Sequence, residues 1–126
     1  SNTTTKLKGL QSLSLSRCEL SNYSFDVLCK TLGQNKILRF LDVGWNHLDA
    51  SNMNVLCDLL RESTNIGKIV LHHNKFGSES MRELAEIIVT RSSLNYIDVS
   101  ANHIGPEGFI YLIEAISKPT SRLHTL

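Results

Sequence analysis

An eleven-residue phrase recurs four times in this chain at a constant step of 28 residues. The phrase is LxxLxLxxNxL, and it starts at Leu10, Leu38, Ile66 and Leu94. Its second apolar slot holds Leu13, Leu41, Ile69 and Ile97, and its third holds Leu15, Val43, Leu71 and Val99. A fixed period of this kind is the signature of a solenoid, in which each repeat buries its apolar face only against its neighbours. The spacing therefore predicts a stacked array.

The last two slots of the phrase repeat as well. The ninth position holds Cys18, Asn46, Asn74 and Asn102, and the eleventh holds Leu20, Leu48, Phe76 and Ile104. From about Leu10 to Leu123 the chain resembles the leucine-rich repeat, and the period of 28 resembles the ribonuclease-inhibitor-like class. This resemblance implies a right-handed α/β solenoid, but such repeats form binding surfaces in many unrelated proteins, so it implies the fold more than the function.

The second half of each repeat switches from a strand pattern to a helical period. In the first repeat the apolar stripe is Phe25, Leu28, Cys29 and Leu32, and it recurs as Met53, Leu56, Cys57 and Leu60, then Met81, Leu84, Ala85 and Ile88, then Phe109, Leu112, Ile113 and Ile116. Parallel strands lie about 4.8 Å apart, whereas packed helices need about 8 to 10 Å. The joined layers must therefore curve, and we expect an arc with parallel strands on the concave face and helices on the convex face.

We expect residues 1–126 to form a single array of four full repeats that start near residues 10, 38, 66 and 94. Partial repeats are predicted at both ends, because the residues before Leu10 match the tail of a repeat, and Leu123 and Leu126 match the start of another. Neither end has the polar outer face of a solenoid cap. We therefore expect the chain to be a segment of a longer protein, with uncapped ends that allow self-association.

Charge and cysteine usage narrow the class of protein. The formal net charge is +1 with both signs interspersed, which argues against binding to nucleic acid or to a membrane surface. No apolar run reaches the roughly 20 residues of a membrane span. Cys29 and Cys57 occupy core slots of the helices and Cys18 occupies an asparagine slot, so the repeat accounts for all three without disulfides. Free thiols indicate an intracellular protein, cytoplasmic or nuclear.

The repeated asparagines have a structural explanation. An Asn amide offers two donors and two acceptor lone pairs, so we expect Asn46, Asn74 and Asn102 each to bind the backbone of their own turn and of the next repeat. Cys18 offers only a weak S–H donor at this position. The first turn should therefore be the loosest.

The variable positions of the phrase point away from the core and supply the candidate binding residues. Because side chains alternate along a strand, these positions lie on the concave face. The predicted protein-binding residues are Phe40, Asp42, Trp45, Lys68, Val70, His72, His73, Tyr96 and Asp98. We expect Trp45, the sole tryptophan, to lie beside His73 on the adjacent repeat. Exposed aromatics mixed with charges are typical of protein interfaces, so the predicted partner is another protein.

The same surface carries histidines and aspartates, which are residue types that bind metal ions. His72 and His73 are adjacent, but consecutive strand residues point to opposite sides unless the strand is ending. Asp42 and Asp98 lie two strands apart, about 9 to 10 Å, which is too far to share an ion. The sequence therefore predicts no metal site.

Catalysis has no support in the sequence either. There is no Gly-rich phosphate loop, no paired cysteine motif and no nucleophile with a base placed by the repeat, so we expect neither a cofactor nor an enzyme. One alternative stays open: a regulatory or GTPase-activating segment of a larger leucine-rich-repeat protein, because some proteins with such repeats activate small GTPases. Arg17, at the concave edge, is the candidate residue, although the distinctive catalytic loop is not visible.

Overall fold

The computed structural model describes residues 9–90, 93–123 and 125–126, and in these ranges short strands alternate with helices. The strands are β1 (Ser12–Ser14), β2 (Phe40–Asp42), β3 (Lys68–Val70) and β4 (Tyr96–Asp98). The helices are α1 (Asn22–Leu32), α2 (Ala50–Glu62), α3 (Gly77–Thr90) and α4 (Gly105–Ile116). The four strands form one parallel sheet in the order β1-β2-β3-β4. No helix in these ranges is long and apolar enough to span a bilayer.

The sheet register aligns equivalent positions of successive repeats. Leu13 pairs with Leu41, Leu41 with Ile69, and Ile69 with Ile97. At the far edge Thr125 forms a parallel bridge to Tyr96, and its carbonyl accepts a hydrogen bond from the backbone N–H of Ile97 at 3.1 Å. A fifth strand therefore begins where Leu123 and Leu126 predict it. The partial repeat predicted before Leu10 falls almost wholly on residues 1–8, outside the described ranges.

The core lies between the sheet and the helices, and some of its positions at the two ends of the array are less completely buried than their equivalents in the inner repeats. Leu41, Ile69 and Leu71 are fully buried, whereas Leu13 in the first repeat is half-buried. At the other end, Phe109 is 53% exposed and Ile113 is 46% exposed. Both belong to the predicted core stripe, and that assignment is wrong for them. Their slots in the inner repeats are covered by the helix of the following repeat, and α4 has no such neighbour among the described residues.

Asparagine side chains join the turns of successive repeats. Nδ2 of Asn74 donates to the carbonyls of Leu71 at 3.0 Å and Val43 at 3.1 Å, and Oδ1 accepts the N–H groups of Asn46 and Leu48, both at 3.0 Å. Each amide therefore satisfies backbone groups in its own turn and in the preceding repeat. The structural role is confirmed, but the direction differs from the prediction, which placed the second contact in the next repeat.

The turn after each strand has a left-handed backbone at the eighth position of the phrase. The φ angles there are +58° for Arg17, +58° for Trp45, +56° for His73 and +55° for Ala101. Few L residues adopt this conformation, and bulky ones do so at a cost of about 1 kcal/mol or more. Four different side chains share it, so the conformation is set by the repeat and not by the residue type.

Side chains cap the starts of the first two helices. The Ser21 side chain accepts a hydrogen bond from the Ser24 N–H, and Asp49 with Asn52 forms a capping box on α2. Gly77 and Gly105, at the equivalent position, have φ angles of +80° and +62°, which glycine adopts without steric cost. These caps fix where each helix begins relative to its strand.

Candidate protein-binding face

The concave face is the side of the sheet that the helices do not cover. It is organised in columns that run across the strands, one column for each variable position of the phrase. The third position contributes Ser12, Phe40, Lys68 and Tyr96; the fifth contributes Ser14, Asp42, Val70 and Asp98; the seventh contributes Ser16, Gly44, His72 and Ser100; and the eighth contributes Arg17, Trp45, His73 and Ala101. The nine predicted binding residues all belong to these columns.

Three side chains of the eighth column stack on one another. The imidazole of His73 lies 3.7 Å from the Trp45 ring, centroid to centroid, with 7° between the planes. On the other face of the indole, the guanidinium carbon of Arg17 lies 4.3 Å from the ring centroid. Stacking and cation–π contacts of this kind each contribute about 0.5 to 1 kcal/mol at exposed sites. The predicted neighbourhood of Trp45 and His73 is confirmed.

This stack determines which part of Trp45 a partner can touch. The side chain is 38% exposed, yet both faces of its ring are covered, so its edge is the accessible part. The indole N–H makes no hydrogen bond among the described residues. Trp45 therefore offers the edge of its ring, with an indole N–H that no described residue binds.

His72 and His73 lie side by side at the end of β3. Their Nδ1 atoms are 3.2 Å apart, and their rings meet edge to face. Sequence reasoning placed consecutive strand residues on opposite sides unless the strand was ending; here β3 ends at Val70, and the left-handed φ of His73 returns its ring to the same side. Gly44 makes room for this pair, because a Cβ atom there would lie 2.7 Å from Cε1 of His72.

The third column carries a lysine between two aromatic rings. Nζ of Lys68 lies 4.5 Å from the ring centroid of Tyr96 and 5.4 Å from that of Phe40. The two rings belong to the strands on either side of β3, so the register places one ring on each side of Lys68, with Tyr96 the nearer. The attraction of a cation to the ring faces therefore holds Lys68 in this column.

The carboxylates of the fifth column are partly used by the turns that follow them. Oδ1 of Asp42 accepts the N–H of Gly44 at 2.9 Å. Oδ1 of Asp98 accepts the N–H of Ser100 at 3.0 Å and its hydroxyl at 2.7 Å. This turn role was missed, although an aspartate two residues before a turn Gly or Ser is a known signal. Sequence reasoning had assigned both residues to partner binding alone.

Val70 is nearly buried, although it lies at a surface-facing position of the phrase. It is only 8% exposed, although it is not part of the core cluster beneath the sheet. Its fifth-position neighbours are the half-buried Asp42 and Asp98, and the larger Lys68 and His72 share its face of β3. Val70 therefore lies recessed among the larger side chains of the concave face, and its role in binding stays a prediction.

Comparison with known proteins agrees with this geometry. A family model described as "Leucine Rich repeat" matches residues 92–112. The chain has the fold of a leucine-rich-repeat solenoid. No curated protein matches its sequence significantly.

Two solved structures share the fold of this chain. The tropomodulin C-terminal domain of Caenorhabditis elegans superposes with a TM-score of 0.85 at 14% sequence identity, over 98% of this chain and 79% of that one. A structure described as leiomodin-1 actin-binding site 2 superposes with a TM-score of 0.84 at 11% identity, over 99% of this chain and 76% of that one. At these identities the likeness shows the α/β solenoid fold.

The buried thiols and the metal-ligating residue types add no reactive group to the concave face among the described residues. Burial is the largest effect that raises the pKa of Cys29 and of Cys57 to about 12, with smaller contributions from Asp26 and Glu83 respectively, so both thiols stay protonated at neutral pH. Within the described ranges no group of three or more His, Cys, Asp or Glu residues is arranged to hold a metal ion. The concave face can thus present rigid shape, aromatic edges and charge to a partner.

Proposed function

We propose that this leucine-rich-repeat protein is an interaction module that binds a partner protein through its concave face, with Trp45 near the centre of contact. The observation that supports the proposal is the Arg17–Trp45–His73 stack. A tryptophan at an exposed, left-handed position serves neither the core nor the turn, since Ala101 forms the same turn in the fourth repeat. Rigid aromatic and arginine side chains are the residue types that carry most binding energy in interfaces.

Actin is the first partner to test. One structure with this fold is described as an actin-binding site of leiomodin-1. With 11% identity, that likeness supplies a candidate and no residue-level mapping. The concave face is the surface that the test must probe.

The setting we propose is the cytoplasm or the nucleus. The support is the state of the cysteines: all three are free, and Cys29 and Cys57 lie in the core. We also propose that the repeats are of the ribonuclease-inhibitor-like class and that the array is part of a longer protein, on the strength of the 28-residue period and the exposed core slots at Phe109 and Ile113.

The alternative of a GTPase-activating segment receives no specific support. Its candidate residue was Arg17, and an activating arginine must reach out to the nucleotide of a bound GTPase. The guanidinium of Arg17 instead lies over the Trp45 ring. We therefore do not extend that hypothesis.

The test compares Trp45→Ala with Glu86→Ala, a change on the exposed surface of α3. Binding to actin is measured by co-sedimentation or fluorescence anisotropy, and binding to other proteins by quantitative capture on wild-type and variant baits. Trp45→Ala should weaken binding by about 2 kcal/mol or more, and Glu86→Ala by less than about 0.5 kcal/mol. Loss of binding with Glu86→Ala and none with Trp45→Ala would place the partner on the convex side.

A further inference from the structure

The ionic groups of the concave face do not pair with one another. The ion pairs among the described residues, Arg61 with Asp58 and Arg82 with Glu79, both lie on helices. On the concave face, Lys68 lies over the rings of Tyr96 and Phe40, and Arg17 lies over Trp45. The two cations are therefore held by aromatic rings, and Asp42 and Asp98 have no counter-ion among the described residues.

The two carboxylates are half-buried and flank the recessed Val70 on adjacent strands. Each uses Oδ1 for the backbone of the following turn. The second oxygen of each makes no hydrogen bond among the described residues. A half-buried carboxylate without a counter-ion is stabilised by a cation brought by a partner, because the local dielectric is lower than that of water. Across these three strands the fifth column thus presents a carboxylate, an apolar side chain and a second carboxylate.

The spacing of this column selects the conformation of the partner. Adjacent strands are about 4.8 Å apart, so the three side chains stand at about 0, 4.8 and 9.6 Å. Along an α-helix, residues i, i+3 and i+7 stand at about 0, 4.5 and 10.5 Å and lie on one face. Along an extended peptide, side chains on one face recur about every 6.6 to 6.8 Å. This spacing does not match the roughly 4.8 Å between strands, so the second side chain of the peptide would already miss its position in the column.

The flanking columns leave room for a helix. The third and seventh positions, represented on β3 by Lys68 and His72, are four residues apart, or about 13 Å along an extended chain. A helix with its side chains is about 10 to 12 Å wide. The recessed Val70 lies at the bottom of the space between these columns, and the His72 ring, which approaches Gly44, borders that space on the seventh-position side.

We propose that the partner segment is an amphipathic α-helix that lies across the strands and carries basic residues at i and i+7 with an apolar residue at i+3. The basic side chains pair with Asp42 and Asp98, and the apolar side chain packs over Val70. The edge of Trp45 and the ring of Tyr96 contact the flanks of the helix. This inference rests on the proposed function, because it specifies what the concave face binds.

The test uses synthetic helices and the full chain. The probe is a stapled helix of about 16 residues with Lys at i and i+7 and Leu at i+3, the staple being on the opposite face. One control peptide has the second Lys at i+5, which turns it off that face, and another has Glu in place of both lysines. Affinity is measured by calorimetry, and the fluorescence of Trp45, the sole tryptophan, reports contact at this face.

The protein variants are Asp42→Asn and Asp98→Asn. Asparagine keeps an oxygen that can accept the turn N–H, so the charge is removed while the turn is retained. Each variant should weaken binding of the probe about two- to fivefold, the range of a partly exposed charge pair, and added salt should weaken it further. Glu86→Gln on α3 should leave the affinity unchanged.

The outcomes separate this inference from the proposed function. The inference is overturned if the probe does not bind, if the i+5 peptide binds equally well, or if the Asp→Asn variants bind as tightly as the wild type. In each of these cases the proposed function still stands when Trp45→Ala weakens binding of a protein partner. If Trp45→Ala has no effect on a protein partner while the probe remains sensitive to both Asp→Asn changes, the helix site stands and the assignment of Trp45 is wrong.

Discussion

The rings of Trp45 and His73 lie parallel, 3.7 Å apart, although the two residues are separated by 28 positions in the chain. The separation equals one repeat, so the sheet register that aligns Leu41 with Ile69 also brings these two rings together. A contact between surface side chains is thus determined by the same period that builds the core.

The difference in burial between inner and end repeats can be tested by truncating one strand leucine in each. Leu71→Ala should lower the free energy of unfolding by about 2 to 5 kcal/mol, because the side chain is fully buried between neighbouring repeats. Leu13→Ala should cost less, since Leu13 is half-buried at the end of the array. Chemical denaturation followed by circular dichroism measures both. Equal losses would contradict the view that end repeats are incompletely enclosed.

The asparagine contacts give a second prediction. Asn74→Ala removes the acceptor of two backbone N–H groups and the donor to the carbonyls of Val43 and Leu71, all of which are buried. Buried polar groups left without partners cost about 1 to 3 kcal/mol each, so the loss should be about 3 kcal/mol or more. Asn54→Ala, on the exposed side of α2, is the control and should change stability by less than about 0.5 kcal/mol. A small effect at Asn74 would mean that water replaces the amide.

Sequence reasoning predicted the repeats, the strands and the inner core because those features depend on residue class and period alone. The surface contacts depend on the directions in which side chains leave the turns, and the residue class does not determine these directions. Local geometry determines two of these contacts. The left-handed turn brings His72 and His73 together, and the Lys68 ammonium group lies against aromatic rings and does not pair with a carboxylate. The turn role of Asp42 could have been found, since Asp-Val-Gly at a strand end is an aspartate-turn signal.

The buried thiols predict a loss of stability at alkaline pH. The pKa values of Cys29 and Cys57 are raised to about 12 in the folded chain, from an ordinary value of 9.0. Above pH 9 the unfolded chain loses these protons first, so the stability is complete below pH 9 and falls as the pH rises towards 12. Each thiol should contribute a slope of about 1.4 kcal/mol per pH unit at most.

This alkaline effect is isolated by comparison with Cys57→Ala. Denaturation midpoints between about pH 8 and 11 should fall less steeply for the variant than for the wild type. Cys18, which is exposed, serves as the control through Cys18→Ala, which should keep the wild-type slope. Parallel curves for all three proteins would show that the buried thiols do not titrate as described.

The left-handed turn predicts a stabilising substitution. Ala101 has a φ of +55° and an exposed side chain that stacks on nothing. Ala101→Gly should raise the free energy of unfolding by about 0.5 to 1 kcal/mol, because glycine adopts positive φ without steric cost. Ala50→Gly at the start of α2, where the backbone is helical, should have the opposite sign. Thermal melts of the two variants provide the comparison.

The open apolar end predicts weak self-association. Phe109 and Ile113 on α4 are 53% and 46% exposed, in slots that are buried in the inner repeats. Phe109→Lys should lower the oligomer fraction seen by analytical ultracentrifugation at high concentration, because it places a charge on this apolar end. Ile37→Lys changes an exposed isoleucine in the loop after α1 and should have a smaller effect. A strictly monomeric wild type at all concentrations would refute self-association through this end.

The shared backbone of Arg17, Trp45, His73 and Ala101 also bears on redesign of the surface. One backbone conformation accommodates arginine, tryptophan, histidine and alanine at this position, so the repeat holds the turn in place with any of these four side chains. A library that varies only these four residues would therefore change the binding specificity of the concave face while the backbone stays the same. Selection from such a library would report side-chain recognition with little interference from changes in folding.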